Sequence, residues 1–147
     1  MTRMSTLLAV ALFATTVGAP ALSQAATDDR SLYERLGGTG PITAVVGKFV
    51  TIVGGDKRIN GYFAKADLVQ LKQHLINMVC QASGGPCEYT GRDMKTTHKG
   101  MGITGAAFGA LVGDLVEALD TFNVPEREKG ELLSVLGPMK GDIVEKP

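Results

Sequence analysis

The sequence predicts an all-α fold in a single domain. Three observations carry that expectation. From about residue 30 onward, apolar residues recur at i, i+3, i+4 spacing. Each such run is bracketed by residues that open or close helices, with Pro, Asp or Thr before it and glycines after most of them. No stretch sustains the apolar–polar alternation of a strand between turn signals.

The first strong helix opens at Pro41 in "PITAVVGKFVTIV" and carries Ile42, Val45, Val46, Phe49, Val50 and Val53. Proline suits a first turn because its missing N–H would have no partner there. Gly54-Gly55 closes the helix. Asp67 is placed to cap a second helix with the stripe Leu68, Leu71, Leu75, Met78 and Val79, which Gly84-Gly85-Pro86 stops. His74 falls one turn after Leu71 and one before Met78, so it is expected on the core side. A short helical stretch, "RDMKTTH", ends at the glycines of "KGMGI". Thr104 caps a third long helix with Phe108, Leu111, Val112, Leu115, Leu119 and Phe122. Pro125 opens a last one through Leu132, Leu133, Leu136 and Ile143.

Ahead of these lies a different kind of segment. "MTRMSTLLAVALFATTVGAPALSQA" has one early charge, Arg3, then an apolar run from Leu7 to about Val17, then Pro20 and the small residues Ser23 and Ala25. This is the pattern of a secretory signal peptide over residues 1–25, and the run is short for a membrane span. The expectation is an exported, periplasmic domain over residues 26–147, with no membrane segment after cleavage and an oxidising surrounding. Charges balance at a formal net of +0, so no strongly basic face invites nucleic acid. Apolar residues at 44% are ordinary for a globular chain.

The unusual feature is "HLINMVCQASGGPCEYTGRDMKTTH", residues 74–98. It holds both histidines of the chain, His74 and His98, and both cysteines, Cys80 and Cys87. Zinc is one reading, but the spacing H-x₅-C-x₆-C-x₁₀-H lacks the tight ligand pairs of structural zinc sites, and no H-E-x-x-H is present. A second reading is purely structural: two core histidines and a disulfide. A third is haem, which needs a helix-borne axial imidazole and an apolar slot. Leu71, Leu75, Met78, Val79 and Met94 flank the histidines, and Phe49, Phe63 and Phe108 can reach the slot from elsewhere. The absence of C-x-x-C-H excludes c-type attachment. An even cysteine pair in an exported chain reads as a Cys80–Cys87 bridge.

The residues also carry a family resemblance. "LYERLGG" (32–38), the Phe49 and Phe63 pair, "GGPCEYTG" (84–91), "MKTTHKGMGIT" (94–104) and Phe108 resemble the group I truncated haemoglobins, over about residues 31–145. The resemblance implies a two-over-two helical sandwich around non-covalent haem b, with bends at Gly37-Gly38 and Gly84-Gly85. It implies His98 as the proximal iron ligand and His74 as the counterpart of a histidine that ligates iron from the distal side in cyanobacterial members. The cofactor-lining residues so implied are Phe49, Val50, Phe63, Leu71, Leu75, Met78, Tyr89, Arg92, Met94, Ile103 and Phe108. The resemblance implies Arg92 near a haem propionate, as in some members, and Lys99 is placed to do similar work. Members with covalent haem use a third histidine, and this chain has two.

The implied function is binding of O₂, NO or CO at haem iron. Val50 and Leu75 stand where many members carry a distal tyrosine and glutamine, so both usual hydrogen-bond donors are aliphatic here. That weighs against tight oxygen storage and leaves His74 as the distal polar group. Two other roles follow from paired axial histidines or a distal base: a periplasmic electron-transfer or redox-sensing module served by an unidentified reductant, and peroxide or nitric oxide turnover as a side activity. No dedicated set of catalytic residues is predicted.

Overall fold

The structure is a computed structural model that describes residues 28–147; the expected leader, residues 1–25, lies outside the described residues. Described residues form seven α-helices, α1 (Leu32–Arg35), α2 (Thr39–Gly55), α3 (Leu68–Ala82), α4 (Met94–His98), α5 (Gly105–Thr121), α6 (Glu126–Leu136) and α7 (Lys140–Ile143). Two 3₁₀ turns, Asn60–Phe63 and Gly137–Met139, complete the set. No strand occurs among the described residues, apart from a single isolated bridge between Thr104 and Lys146. No helix among them is long and apolar enough to cross a membrane.

The helix boundaries follow from local chemistry. Ser31 and Glu34 form a reciprocal capping box that starts α1. Asp67 accepts hydrogen bonds from the N–H groups of Val69 and Gln70, and Thr104 accepts from Ala107. The bends after α1 and after α3 place Gly37, Gly38 and Gly84 at positive φ. The last predicted helix differs from expectation. It ends at Leu136, and Ile143 belongs to the separate α7. Pro138, lacking an N–H, and Gly137 before it turn the chain into a 3₁₀ step there.

α2 packs against both α3 and α5, α3 touches α6, and α4 touches α7. Ile42, Val46, Val53, Ile76, Leu119 and Leu132 fill the shared core. Arg35 of α1 bonds Glu128 and Glu131 of α6, clamping the N-terminal turn on that helix. Within this frame, residues of α2, α3, α5 and the 3₁₀ turn Asn60–Phe63 border the hollows described next.

Candidate haem site

α4 is short, and its geometry is set by its ends. Asp93 caps it, accepting from Thr96 N–H at 2.8 Å. At its last residue, His98 Nδ1 lies 2.7 Å from the Met94 carbonyl oxygen. A carbonyl can only accept, so the network assigns the proton to Nδ1 and leaves the Nε2 lone pair available. The imidazole borders a cavity of about 60 Å³ together with Phe63, Ile103 and Phe108.

That cavity does not stand alone. Phe63 also borders a larger one of about 450 Å³, lined by Phe49, Val50, Leu68, Leu71 and Leu75. Phe49 and Leu75 in turn border a third of about 240 Å³ with Met78, Phe108 and Leu111. The shared residues make the three hollows neighbours in one apolar region between α2, α3, α5 and His98. Among the described residues, Asn60 is the one polar side chain of the large hollow, and its Nδ2 lies 3.5 Å from the Gly54 carbonyl. Space of this class is what a drug-sized or cofactor-sized group occupies.

Of the residues singled out from the sequence, Phe49, Val50, Phe63, Leu71, Leu75, Met78, Ile103, Phe108 and His98 line these hollows. His74, Tyr89, Arg92 and Met94 line none of the three and instead form the wall joining α3 to α4. The half-buried His74 sits at the flank of the Leu68–Leu71–Leu75 stripe rather than on its inner line, with its ring edge-on to Tyr89 at 5.9 Å between centroids and 75° between planes. The Tyr89 hydroxyl donates to the Arg92 carbonyl at 2.7 Å, and its backbone N–H donates to Gln81 Oε1 at 2.8 Å. Burial, with the Asp93 carboxylate nearby, pushes the Tyr89 phenol above its ordinary pKa, so it stays protonated and donating. Cys80 and Cys87 are joined across the turn that carries this wall, with Cα atoms 5.7 Å apart. Neither histidine forms part of a cluster of three or more His, Cys, Asp or Glu side chains suited to a metal ion among the described residues.

Sequence reasoning missed several lining residues. Val53 and Leu68 fall on helix stripes and line the hollow as well. Asn60 and Gly61 come from the 3₁₀ turn, and Ala64 and Ala66 from the irregular backbone after it, which gives no periodicity to read.

The bacterial-like globin family model matches residues 31–145. A group 1 truncated hemoglobin of Mycolicibacterium paratuberculosis is 35% identical over 113 residues, spanning 77% of this chain and 83% of that protein. The chain belongs to the bacterial-like globins. A second group 1 truncated hemoglobin, from Synechocystis, is 36% identical over 111 residues, covering 73% of this globin and 90% of its relative. Among solved structures, truncated hemoglobin of Tetrahymena pyriformis in its Fe(III) form superposes with a TM-score of 0.76 at 27% identity, covering 80% of this globin and all of that chain. The 2/2 hemoglobin of Synechococcus, in a cyanomet state with covalently attached heme, gives 0.74 at 31% identity with 80% and 100% coverage.

The two-over-two globin fold expected from the sequence therefore stands, and so does its cofactor. The residues fit a flat apolar ring: aliphatic and phenyl walls, one imidazole whose tautomer a carbonyl fixes, and a hollow of suitable size beside it. His98 would hold the iron, while Phe63 and Phe108, which border the small hollow beside it, would pack on the ring.

Proposed function

We propose that this globin binds haem b non-covalently through His98 and presents its distal side to a diatomic ligand, O₂, NO or CO. The carrying observation is the His98 Nδ1 contact with the Met94 carbonyl at 2.7 Å, beside an apolar hollow. It polarises the imidazole toward Nε2 and stops the ring from rotating. Bound haem would supply an iron that exchanges small neutral ligands and single electrons. The protein's own part is to hold, to exclude water and to tune. Val50, Leu71 and Leu75 keep the distal hollow dry, and none can donate a hydrogen bond. With only two histidines in the chain, no third is available for the covalent link that other members make.

His74 is proposed as the resting sixth ligand and, once displaced, as the donor to an incoming ligand. Its half-buried ring makes an edge contact with Tyr89 and, among the described residues, no hydrogen bond of the kind found for His98, which supports a polar group awaiting a partner. The same pairing of two imidazoles favours a second reading, a redox module that exchanges electrons with a periplasmic reductant. The leader pattern supports export, with a mature chain from Ala26, and the Cys80–Cys87 bridge would pin the turn between α3 and α4 there. Absorption spectra of purified protein, ferric, ferrous and ferrous with CO, test the reading. Low-spin ferric bands that give way to a CO complex are expected, and a chain that takes up no haem would refute it.

A further inference from the structure

The loop after the proximal histidine is held by residues 145 and 146. α4 ends at His98, and the chain then runs through Gly100 (φ 80°) and Gly102 (φ 64°), conformations that side chains resist. Within this loop, Met101 N–H donates to the His98 carbonyl at 3.1 Å. Among the described residues, its long-range hydrogen bonds come from residues 145 and 146. The Glu145 carboxylate accepts from Gly100 N–H with Oε1 and from Gly102 N–H with Oε2, each at 2.6 Å. The Glu145 and Lys146 N–H groups both donate to the Ile103 carbonyl, at 2.9 and 3.1 Å, and Gly105 N–H donates to the Lys146 carbonyl at 3.0 Å. Upstream of this tail, α7 packs on α4, and Ile143 borders the same hollow as His98.

α4 is too short to hold its own last residue. A five-residue helix has barely one internal turn of hydrogen bonds, and its end frays unless something outside fixes it. Here a carboxylate does so with two charge-assisted bonds to the second and fourth residues after His98. A displacement there would carry the imidazole with it.

We propose that Glu145 is a positioning residue for the proximal histidine, clamping the Gly100–Gly102 loop so that the His98 ring keeps one reach and one tilt toward the iron. The inference rests on His98 being the proximal ligand.

The test is Glu145→Gln, which keeps shape but replaces one accepting oxygen with an amide that points a donor at a backbone donor. The tail's own backbone pairs remain, so the fold is expected to hold. Lys146→Ala, which leaves both carboxylate bonds in place, is the control. Two readouts separate clamp from ligand. In the haem-free full-length protein, the Gly100 and Gly102 amide protons should lie well downfield by NMR and move upfield in E145Q but not in K146A. In the ferrous haem protein carrying His74→Leu, which leaves the iron without a second histidine, the Fe–His stretching band by resonance Raman should shift down and broaden when E145Q is added, and haem transfer to an acceptor globin should speed up about tenfold, the loss of one charge-assisted bond. Unchanged amide shifts, or an E145Q variant that melts earlier with the Fe–His band and haem transfer of its His74→Leu parent, would overturn the clamp. A His74→Leu protein with no Fe–His band would overturn the ligand assignment instead, while the amide shifts would still judge the clamp.

Discussion

Tyr89 should decide how often His74 leaves the distal side open. In the structure the two rings meet edge to face at 5.9 Å, and Tyr89 is itself fixed by bonds to the Arg92 carbonyl and Gln81. Such a pair contributes roughly 0.5–1.5 kcal/mol beyond simple burial. That energy stabilises the conformation in which His74 stands aside. Removing the ring in Tyr89→Ala should therefore favour ligation by His74 by roughly two- to tenfold. Because an external ligand binds only the open fraction, CO binding to the ferrous protein should slow by a similar factor. Tyr89→Phe keeps the ring and loses only the hydroxyl bond, so it should bind CO nearly as wild type does. Stopped-flow CO mixing measures both, and the low-spin share of the ferric spectrum gives an independent count. Tyr89→Ala binding CO as fast as wild type or faster would refute the idea that this contact holds His74 back.

Three further outcomes follow from the same geometry. His74→Leu should convert a low-spin ferric spectrum to high-spin or aquo and accelerate both CO binding and O₂ dissociation; a wild-type spectrum that is already high-spin and unmoved by the substitution would leave His74 as a wall residue. Asp114, buried on α5 with Oδ2 lacking a hydrogen-bond partner among the described residues, has its pKa raised by burial and by the nearby Asp56 carboxylate. A raised folded value means its contribution to stability is present in acid and is lost as pH rises through that value. Asp114→Asn should therefore raise the melting temperature at neutral pH and lose that advantage as the pH falls below the usual carboxylate range; a uniform effect across pH would contradict the assignment. Replacing Cys80 and Cys87 with serine should cost about 2.5 kcal/mol by the loop-closure estimate, measured by urea unfolding of oxidised wild type and variant, and identical midpoints would argue against the bridge.

Much of the fold was legible because its signals are local. Asp67 and Thr104 cap the helices they were expected to cap, and Gly54-Gly55 ends α2 where the pattern breaks. The aliphatic lining was legible for the same reason, since Leu68, Leu71 and Leu75 follow one helical stripe into one hollow. What escaped was non-local or aperiodic. Pro138 could have announced the break before α7, but an apolar Ile143 at helical spacing masked it. Asn60 enters the distal hollow from a 3₁₀ turn with no period. His74 is shared between stripe and flank at its spacing, and only the packing of Tyr89 against it places it on the wall. The Glu145 clamp joins residues more than forty positions apart, and nothing in either segment points to the other.

The central claim is that His98 holds the iron of a haem seated in the hollow between α2, α3 and α5. Its most direct measurement is the absorption spectrum of His98→Gly after haem reconstitution, with and without added imidazole, beside wild type. The variant should bind haem weakly or abnormally and recover the wild-type bands when imidazole fills the vacated place. A His98→Gly protein that keeps the wild-type spectrum and haem affinity without imidazole would contradict it.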